Sequence, residues 1–210
     1  MSDKKISTYE AGFYGLMCLI APVLFSVSVF FWKDGEYLPT GAVLMNLSMV
    51  FWVPVMFYLF GLIKEKAPLY YCIGLVYALY GTVIGGTAFG YLGFFTNIFE
   101  ISHREYLEKL ATHTLGSNLL LFWAGPAFPL SLLILSIVLL RKKALETWIC
   151  ILLMIGAILF PVSRILRIIS IAHIADVFLS VPIVCTGWTL MKKQRSGTIK
   201  KPIPFRHSNN

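Results

Sequence analysis

Long apolar runs separated by short polar connections dominate the chain from Gly12 to Met191. A helix that crosses a bilayer needs about 20 consecutive, mostly apolar residues. Six runs meet this length, and they cover residues 12–32, 41–63, 69–95, 115–140, 148–167 and 172–191. The pattern therefore predicts an all-α membrane protein, a six-transmembrane-helix bundle formed as a single domain over residues 1–191.

The first run needs a separate decision, because it follows a short basic start and has some features of a signal peptide. It is too long for the apolar part of such a peptide, and it ends in Phe30-Phe31-Trp32. We therefore expect it to be retained as the first span. Proline lies inside five of the six runs, which membrane helices tolerate where neighbouring groups satisfy the freed carbonyls.

Composition supports this architecture and excludes several other classes of protein. The 210 residues are 58% hydrophobic and only 13% charged, with a mean hydropathy of +0.77, whereas about 25% of the residues in soluble domains are charged. A soluble enzyme, a disordered protein and a disulfide scaffold are excluded. The net charge of +8 comes from Lys and Arg clusters between apolar runs. Such clusters indicate membrane orientation rather than nucleic-acid binding.

The distribution of basic residues predicts the orientation of the chain. With six spans both termini share one side, and that side carries 13 of the 18 Lys and Arg residues. The positive-inside rule then places both termini in the cytoplasm, with the protein in the plasma membrane. Residues 192–210 are basic and contain two prolines. They are predicted to form a disordered cytoplasmic tail that contacts anionic membrane lipids.

A short amphipathic helix is predicted in the longest connection, between spans 3 and 4. Ser102 and Glu105 have the spacing of a capping box, and the pairs Arg104–Glu108 and Glu105–Lys109 are four residues apart. We expect this helix to lie on the external membrane surface. A solvated helix without a ligand and a lid over a site are the two interpretations that remain open.

The third span carries two small-residue motifs, Gly81-x-x-x-Gly85 and Gly86-x-x-x-Gly90. Small residues at this spacing let two helices approach closely within a membrane. The motifs predict either a tightly packed central helix or a face that forms a homo- or hetero-oligomer.

Charged residues at the ends of spans 5 and 6 are the most informative polar groups. Arg164 and Arg167 end span 5, whereas Asp176 lies inside span 6. If the two spans form an antiparallel hairpin that turns near residue 170, Arg164 lies level with Asp176 and Arg167 lies level with His173. An Arg164–Asp176 ion pair would offset the desolvation of both charges. A site that handles a substrate or a proton is the alternative interpretation.

Polar residues in the external third of the spans predict an outward-facing pocket, because ionisable groups within a membrane commonly mark functional sites. Arginine holds carboxylate and phosphate groups in bidentate fashion. The hypothesis is therefore a pocket that binds a lipid headgroup or a small anion, for transport, sensing or presentation. The predicted ligand-binding residues are Arg164, Arg167, Asp176, His113, His173, Asn118 and Glu108.

Two other function classes remain open. In a membrane-embedded enzyme, His113 or His173 would act as general base, with Asp176 as its orienting group. In a structural subunit, the glycine-rich third span would dock on another membrane protein. The sequence has no nucleotide-binding or nucleophile motif and no metal- or haem-ligand spacing, so it predicts no catalytic residue, metal or cofactor.

Overall fold

The computed structural model describes residues 7–33 and 35–195, and six of its helical segments are long and apolar enough to cross a membrane. The prediction of an all-α, multi-pass membrane protein is confirmed. In chain order the elements are α1 (Thr8–Val29), β1 (Trp32–Lys33), β2 (Glu36–Tyr37), α2 (Pro39–Gly61), α3 (Pro68–Leu79), the π-helix π1 (Tyr80–Gly86), α4 (Thr87–Ile98), α5 (His103–Ala111), α6 (Thr114–Ser117), the π-helix π2 (Asn118–Phe122), α7 (Ala124–Arg141), α8 (Thr147–Leu166) and α9 (Ile169–Arg195).

The first and last helices differ from their predicted bounds. Helix α1 begins at Thr8 because Ser7 and Glu10 form a capping box, in which Ser7 Oγ accepts from Glu10 N at 3.2 Å and Glu10 Oε2 accepts from Ser7 N at 2.8 Å. Helix α9 continues through residues 192–195, which were predicted to begin the disordered tail. The remainder of that predicted tail, 196–210, lies outside the described residues.

The six spans pack around a shared aromatic core. Helix α1 packs between α2 and α9, α8 packs between α7 and α9, and span 3 contacts both α2 and α7. The centre contains Phe25, Trp52, Phe128 and Phe160, one ring from each of α1, α2, α7 and α8, with adjoining centroids 5.4–6.2 Å apart. Helices from both halves of the chain therefore share this core.

The two ends of the bundle carry different connections. The hairpin end contains the antiparallel pair β1–β2, the connection between α4 and α5, and the turn between α8 and α9. The terminal end contains the start of α1, the end of α9, the α2–α3 connection and the α7–α8 connection.

The glycine stripe of span 3 packs against helices of the same chain. A Cβ atom added at Gly85 would lie 2.0 Å from the carbonyl oxygen of Ala124, and one added at Gly81 would lie 2.3 Å from the backbone nitrogen of Phe128. Gly86 and Gly90 face α2 in the same way, and all four glycines are buried. The face predicted as a possible oligomer contact is therefore occupied by intrachain packing with α2 and α7.

Two π-helical segments lie beside each other where spans 3 and 4 meet. The Tyr80 hydroxyl of π1 donates to the carbonyl oxygen of Leu119 in π2 at 2.5 Å. In π2 the Trp123 N–H donates to the carbonyl of Asn118 at 2.8 Å. Pro126 lies four residues after Phe122, the last residue of π2. Proline has no N–H, and its ring crowds the carbonyl four residues earlier, which favours a widened turn at this position.

A helix does form between spans 3 and 4. Ser102 Oγ accepts from Glu105 N at 3.3 Å, and the predicted pairs Arg104–Glu108 and Glu105–Lys109 form at 3.0 and 2.8 Å. The location of α5 on an external membrane surface remains a prediction.

The close contact at Gly85 leads to a stability prediction. Gly85→Ala places a methyl group against the Ala124 carbonyl, and overpacking of this kind costs about 1–3 kcal/mol. We therefore expect a lower midpoint of thermal unfolding in detergent. Gly61→Ala is the matched control, because no atom lies within 4 Å of the added Cβ. Equal unfolding midpoints for the two variants would contradict the packing described for span 3.

Candidate functional site

The short hairpin at residues 32–37 closes one end of the bundle and brings two aromatic residues together. Trp32 pairs with Tyr37 across β1 and β2, and Gly35 adopts a φ of 92°, a left-handed conformation that glycine adopts without strain. Both aromatic side chains are buried, with 4% and 3% exposure. The hairpin therefore carries bulky rings into the bundle.

Span 3 holds the hairpin in place through backbone and side-chain contacts. Gly93 allows the Tyr37 backbone to approach so closely that an added Cβ would lie 2.4 Å from its carbonyl oxygen. Asn97 Nδ2 donates to the same carbonyl at 3.2 Å, and Thr96 Oγ1 donates to Glu36 Oε2 at 3.1 Å. These contacts fix the position of the Tyr37 ring relative to α4.

Arg164, near the end of α8, points into this aromatic environment. Its Nη2 donates to the Tyr37 hydroxyl at 2.8 Å. Its guanidinium carbon lies 4.6 Å from the Trp32 ring centroid, 5.0 Å from that of Phe160 and 5.4 Å from that of Tyr37. Each such cation–π contact contributes about 0.5–2 kcal/mol, with the larger values at desolvated sites. The rings thus stabilise the cation without neutralising its charge.

The hydroxyl of Tyr37 remains a neutral partner. Burial raises the pKa of Tyr37; the charge of Arg164 opposes that rise, and the charge of Asp176 adds to it. A neutral phenol satisfies one guanidinium N–H of Arg164 without neutralising its charge. In addition, Nη1 of Arg164 is buried and has no hydrogen-bond partner.

An apolar cavity of about 160 Å³ lies beside Arg164. We call it the Arg164 cavity, and its walls come from the hairpin, α2, α4, α7 and α8. Its lining residues are Trp32, Gly35, Glu36, Tyr37, Met45, Phe89, Leu92, Gly93, Gly125, Pro126, Pro129, Phe160, Pro161, Arg164 and Ile165. Phe89, Pro126 and Ile165 are also exposed on the flank of the bundle, so the cavity reaches the lateral surface.

Asp176 lies in α9 and is only 1% exposed. Neither of its carboxylate oxygens has a hydrogen-bond partner, so the predicted ion pair with Arg164 is not formed. Arg164 binds the Tyr37 hydroxyl instead. Helices α8 and α9 pack against each other, so the two residues lie on neighbouring helices near the hairpin end without a direct ion pair.

Arg167 and His173 lie at the hairpin end but make different contacts. Arg167 ends α8 in the left-handed conformation, with a φ of 55°, and its side chain lies against Gly35. The His173 ring packs on Phe30 with centroids 4.7 Å apart. Because Asp176 accepts no hydrogen bond, it does not orient His173 or His113 as the enzyme hypothesis requires.

Of the seven predicted site residues, Arg164 alone is among the residues described as lining the Arg164 cavity. Glu108 is paired with Arg104 on the exposed face of α5. Asn118 begins π2 and is half-buried. His113 is exposed and lines a separate groove of about 520 Å³, which lies under α5 and between α4 and π2. The structure thus brings together Arg164 and Asp176 and leaves His113, Asn118 and Glu108 elsewhere.

The aromatic residues around Arg164 were not among the predicted site residues, although the sequence carries signals for their positions. Trp32 and Tyr37 flank Asp34-Gly35, and an Asp-Gly pair between short polar and aromatic segments is a strong signal for a two-residue hairpin. Phe160 lies four residues before Arg164, the spacing at which side chains meet on one face of a helix.

Neither a metal site nor a similarity to known proteins assigns a function. Over residues 7–33 and 35–195, no group of three or more His, Cys, Asp or Glu side chains is arranged to hold a metal ion. No protein-family model, curated protein or solved structure matches the chain. The geometry around Arg164 is therefore the main guide to function.

Replacement of Tyr37 tests the arrangement around Arg164. Tyr37→Phe keeps the ring but leaves a second buried guanidinium nitrogen without its partner, which costs about 1–3 kcal/mol. We expect a lower unfolding midpoint in detergent. Tyr9→Phe, at a side chain that is 81% exposed, is the control and should unfold as the parent does. An unchanged midpoint for Tyr37→Phe would show that the hydrogen bond contributes nothing to stability.

Proposed function

We propose that this six-span protein binds an anionic amphiphile through Arg164, with the apolar part of the ligand in the Arg164 cavity. The observation that carries the proposal is the buried Nη1 of Arg164, which has no hydrogen-bond partner. A carboxylate, phosphate or sulfonate oxygen would accept from this nitrogen in a charge-assisted hydrogen bond. Transport, sensing or presentation of the ligand would all begin with this binding step.

The walls of the cavity favour a lipid-like ligand over a free inorganic anion. Among the described lining residues Arg164 is the only cation and Glu36 the only acidic side chain. Three others are prolines of α7 and α8, whose nitrogens donate no hydrogen bond. An apolar cavity of roughly 150 Å³ can hold a benzene-sized group. The opening past Phe89, Pro126 and Ile165 lies on the flank of a membrane bundle, so a chain would enter from the bilayer.

The proposal also covers the membrane in which the protein lies and its orientation there. With both termini in the cytoplasm, the hairpin end faces the extracytoplasmic side of the plasma membrane, and the ligand comes from the outer leaflet. This assignment is supported by the excess of Lys and Arg at the terminal end. The Arg167 side chain lies against Gly35 at the same end. We assign no ligand contact to His113, His173, Asn118 or Glu108.

A binding experiment with three probes tests this function. Purified protein in a nonionic detergent is titrated calorimetrically with decanesulfonate, with decanol, which lacks the charge, and with methanesulfonate, which lacks the chain. We expect decanesulfonate to bind most tightly, because it alone satisfies both Arg164 and the apolar walls. Tighter binding of methanesulfonate would instead identify a small-anion site, and tighter binding of decanol would leave Arg164 without a role.

Variants of Arg164 make the test specific. A hydrogen bond to a charged group contributes about 1.5–3 kcal/mol, so Arg164→Gln should weaken decanesulfonate binding by about 10- to 100-fold. Arg164→Lys keeps the charge but loses the planar donor geometry, and we expect an intermediate loss. Arg104→Gln, at a side chain that is 90% exposed, is the matched control. Equal affinities for Arg164→Gln and Arg104→Gln would refute the proposed function.

A further inference from the structure

Asp176 is a buried carboxylate to which the anion site assigns no role. It is 1% exposed, and both of its oxygens lack hydrogen-bond partners. Buried carboxylates are normally paired, hydrogen-bonded or protonated, because an isolated charge in an apolar environment is strongly disfavoured. With no hydrogen bond to stabilise its ionised form, Asp176 is a site where a proton can be gained or lost.

The packing of α8 on α9 places Asp176 deeper in the bundle than Arg164. A Cβ added at Gly156 would lie 2.8 Å from Leu179, so these two residues are opposite each other. The two helices are antiparallel. Phe160, which lies four residues after Gly156 on α8, is therefore about level with Asp176, which lies three residues before Leu179 on α9. Arg164 follows one turn later, roughly 6 Å along the helix axis. The Arg164 side chain leans back over the Phe160 ring, which brings the cation towards Asp176.

Few other charged or titratable groups face Asp176. Helix α9 packs on α1 and α8. The last titratable residue of α1 is Cys18, which lies in its first half, towards the terminal end, and the one charged residue within α8 is Arg164. Two other titratable groups lie on this side: Tyr37 of the hairpin, and His173, which is one turn before Asp176 on α9. Among these groups Arg164 is the only one with a permanent positive charge.

We propose that Asp176 is a proton-binding site coupled to the anion site, so that the protein binds an anion together with a proton. This inference rests on the proposed function of Arg164. An ionised Asp176 offsets the charge of Arg164 and repels an incoming anion; a protonated Asp176 does neither. The proton comes from solution and forms an O–H bond with one carboxylate oxygen, and no other bond changes. By linkage, the anion strengthens proton binding as much as the proton strengthens anion binding.

The pH dependence of decanesulfonate affinity tests the coupling, because the charge of a sulfonate stays constant across the range used. We expect the affinity of the parent protein to fall as pH rises, by at most about tenfold per pH unit, the limit for one linked proton. Asp176→Asn should bind the probe with an affinity that is high and independent of pH. His173→Gln is the control for the titratable group that lies one turn from Asp176 on α9, and it should keep the slope of the parent.

A second measurement uses only the parent protein, in case Asp176→Asn does not fold. Decanesulfonate is added in weak buffer with a pH-indicating dye, and we expect net proton uptake that approaches one proton per bound sulfonate. Arg164-dependent binding without proton uptake, or a pH slope that survives in Asp176→Asn, would overturn the coupling alone. Binding that is unaffected by Arg164→Gln would overturn the proposed function, and the coupling with it.

Discussion

A guanidinium within the apolar part of a membrane bundle has to exchange its hydration shell for protein groups, and much of the hairpin end is organised around this requirement. A charge at the centre of a membrane helix costs about 2.5–3.5 kcal/mol on insertion scales, which is an upper limit for Arg164 in the last turn of α8. Arg164 offsets this cost with the Tyr37 hydroxyl and three aromatic rings. The hairpin supplies two of those rings, and Gly93 and Asn97 of span 3 hold the hairpin. The cation is stabilised, yet it keeps its charge and one unpartnered donor nitrogen.

Span 3 makes the close backbone contacts in the middle of the bundle and also forms part of the wall of the Arg164 cavity. Gly81 and Gly85 bring span 3 against α7, whereas nearer the hairpin end Phe89 and Leu92 line a space beside Gly125 and three prolines. Tight contact in the middle of the bundle thus gives way to a cavity where Arg164 lies. Because the glycines pack against helices of the same chain, the third span is an internal support of the bundle.

The sequence predicts the architecture better than it predicts the site. Apolar run length identified six spans, and i,i+4 spacing identified both ion pairs of α5, because these features depend on local periodicity. The Arg164–Asp176 pair failed because Asp176 lies about one helical turn deeper than Arg164, level with Phe160, and because helix positions alone do not determine which way a long side chain turns. That direction depends on the hairpin at residues 32–37, which joins α8 through contacts distant in sequence. His113 and Glu108 were grouped with Arg164 by depth alone, yet they lie on other surfaces.

The proposed function depends on Arg164, which provides a cation with an unpartnered donor nitrogen to a cavity that opens into the bilayer. Its most direct test is an experimental structure of the protein in lipid nanodiscs that contain anionic lipid. We predict density for an acidic headgroup within hydrogen-bond distance of Arg164 Nη1, with an attached chain that leaves the bundle past Pro126 and Ile165. Helices packed tightly where the cavity lies, or Arg164 turned to form a direct ion pair with Asp176, would contradict this account.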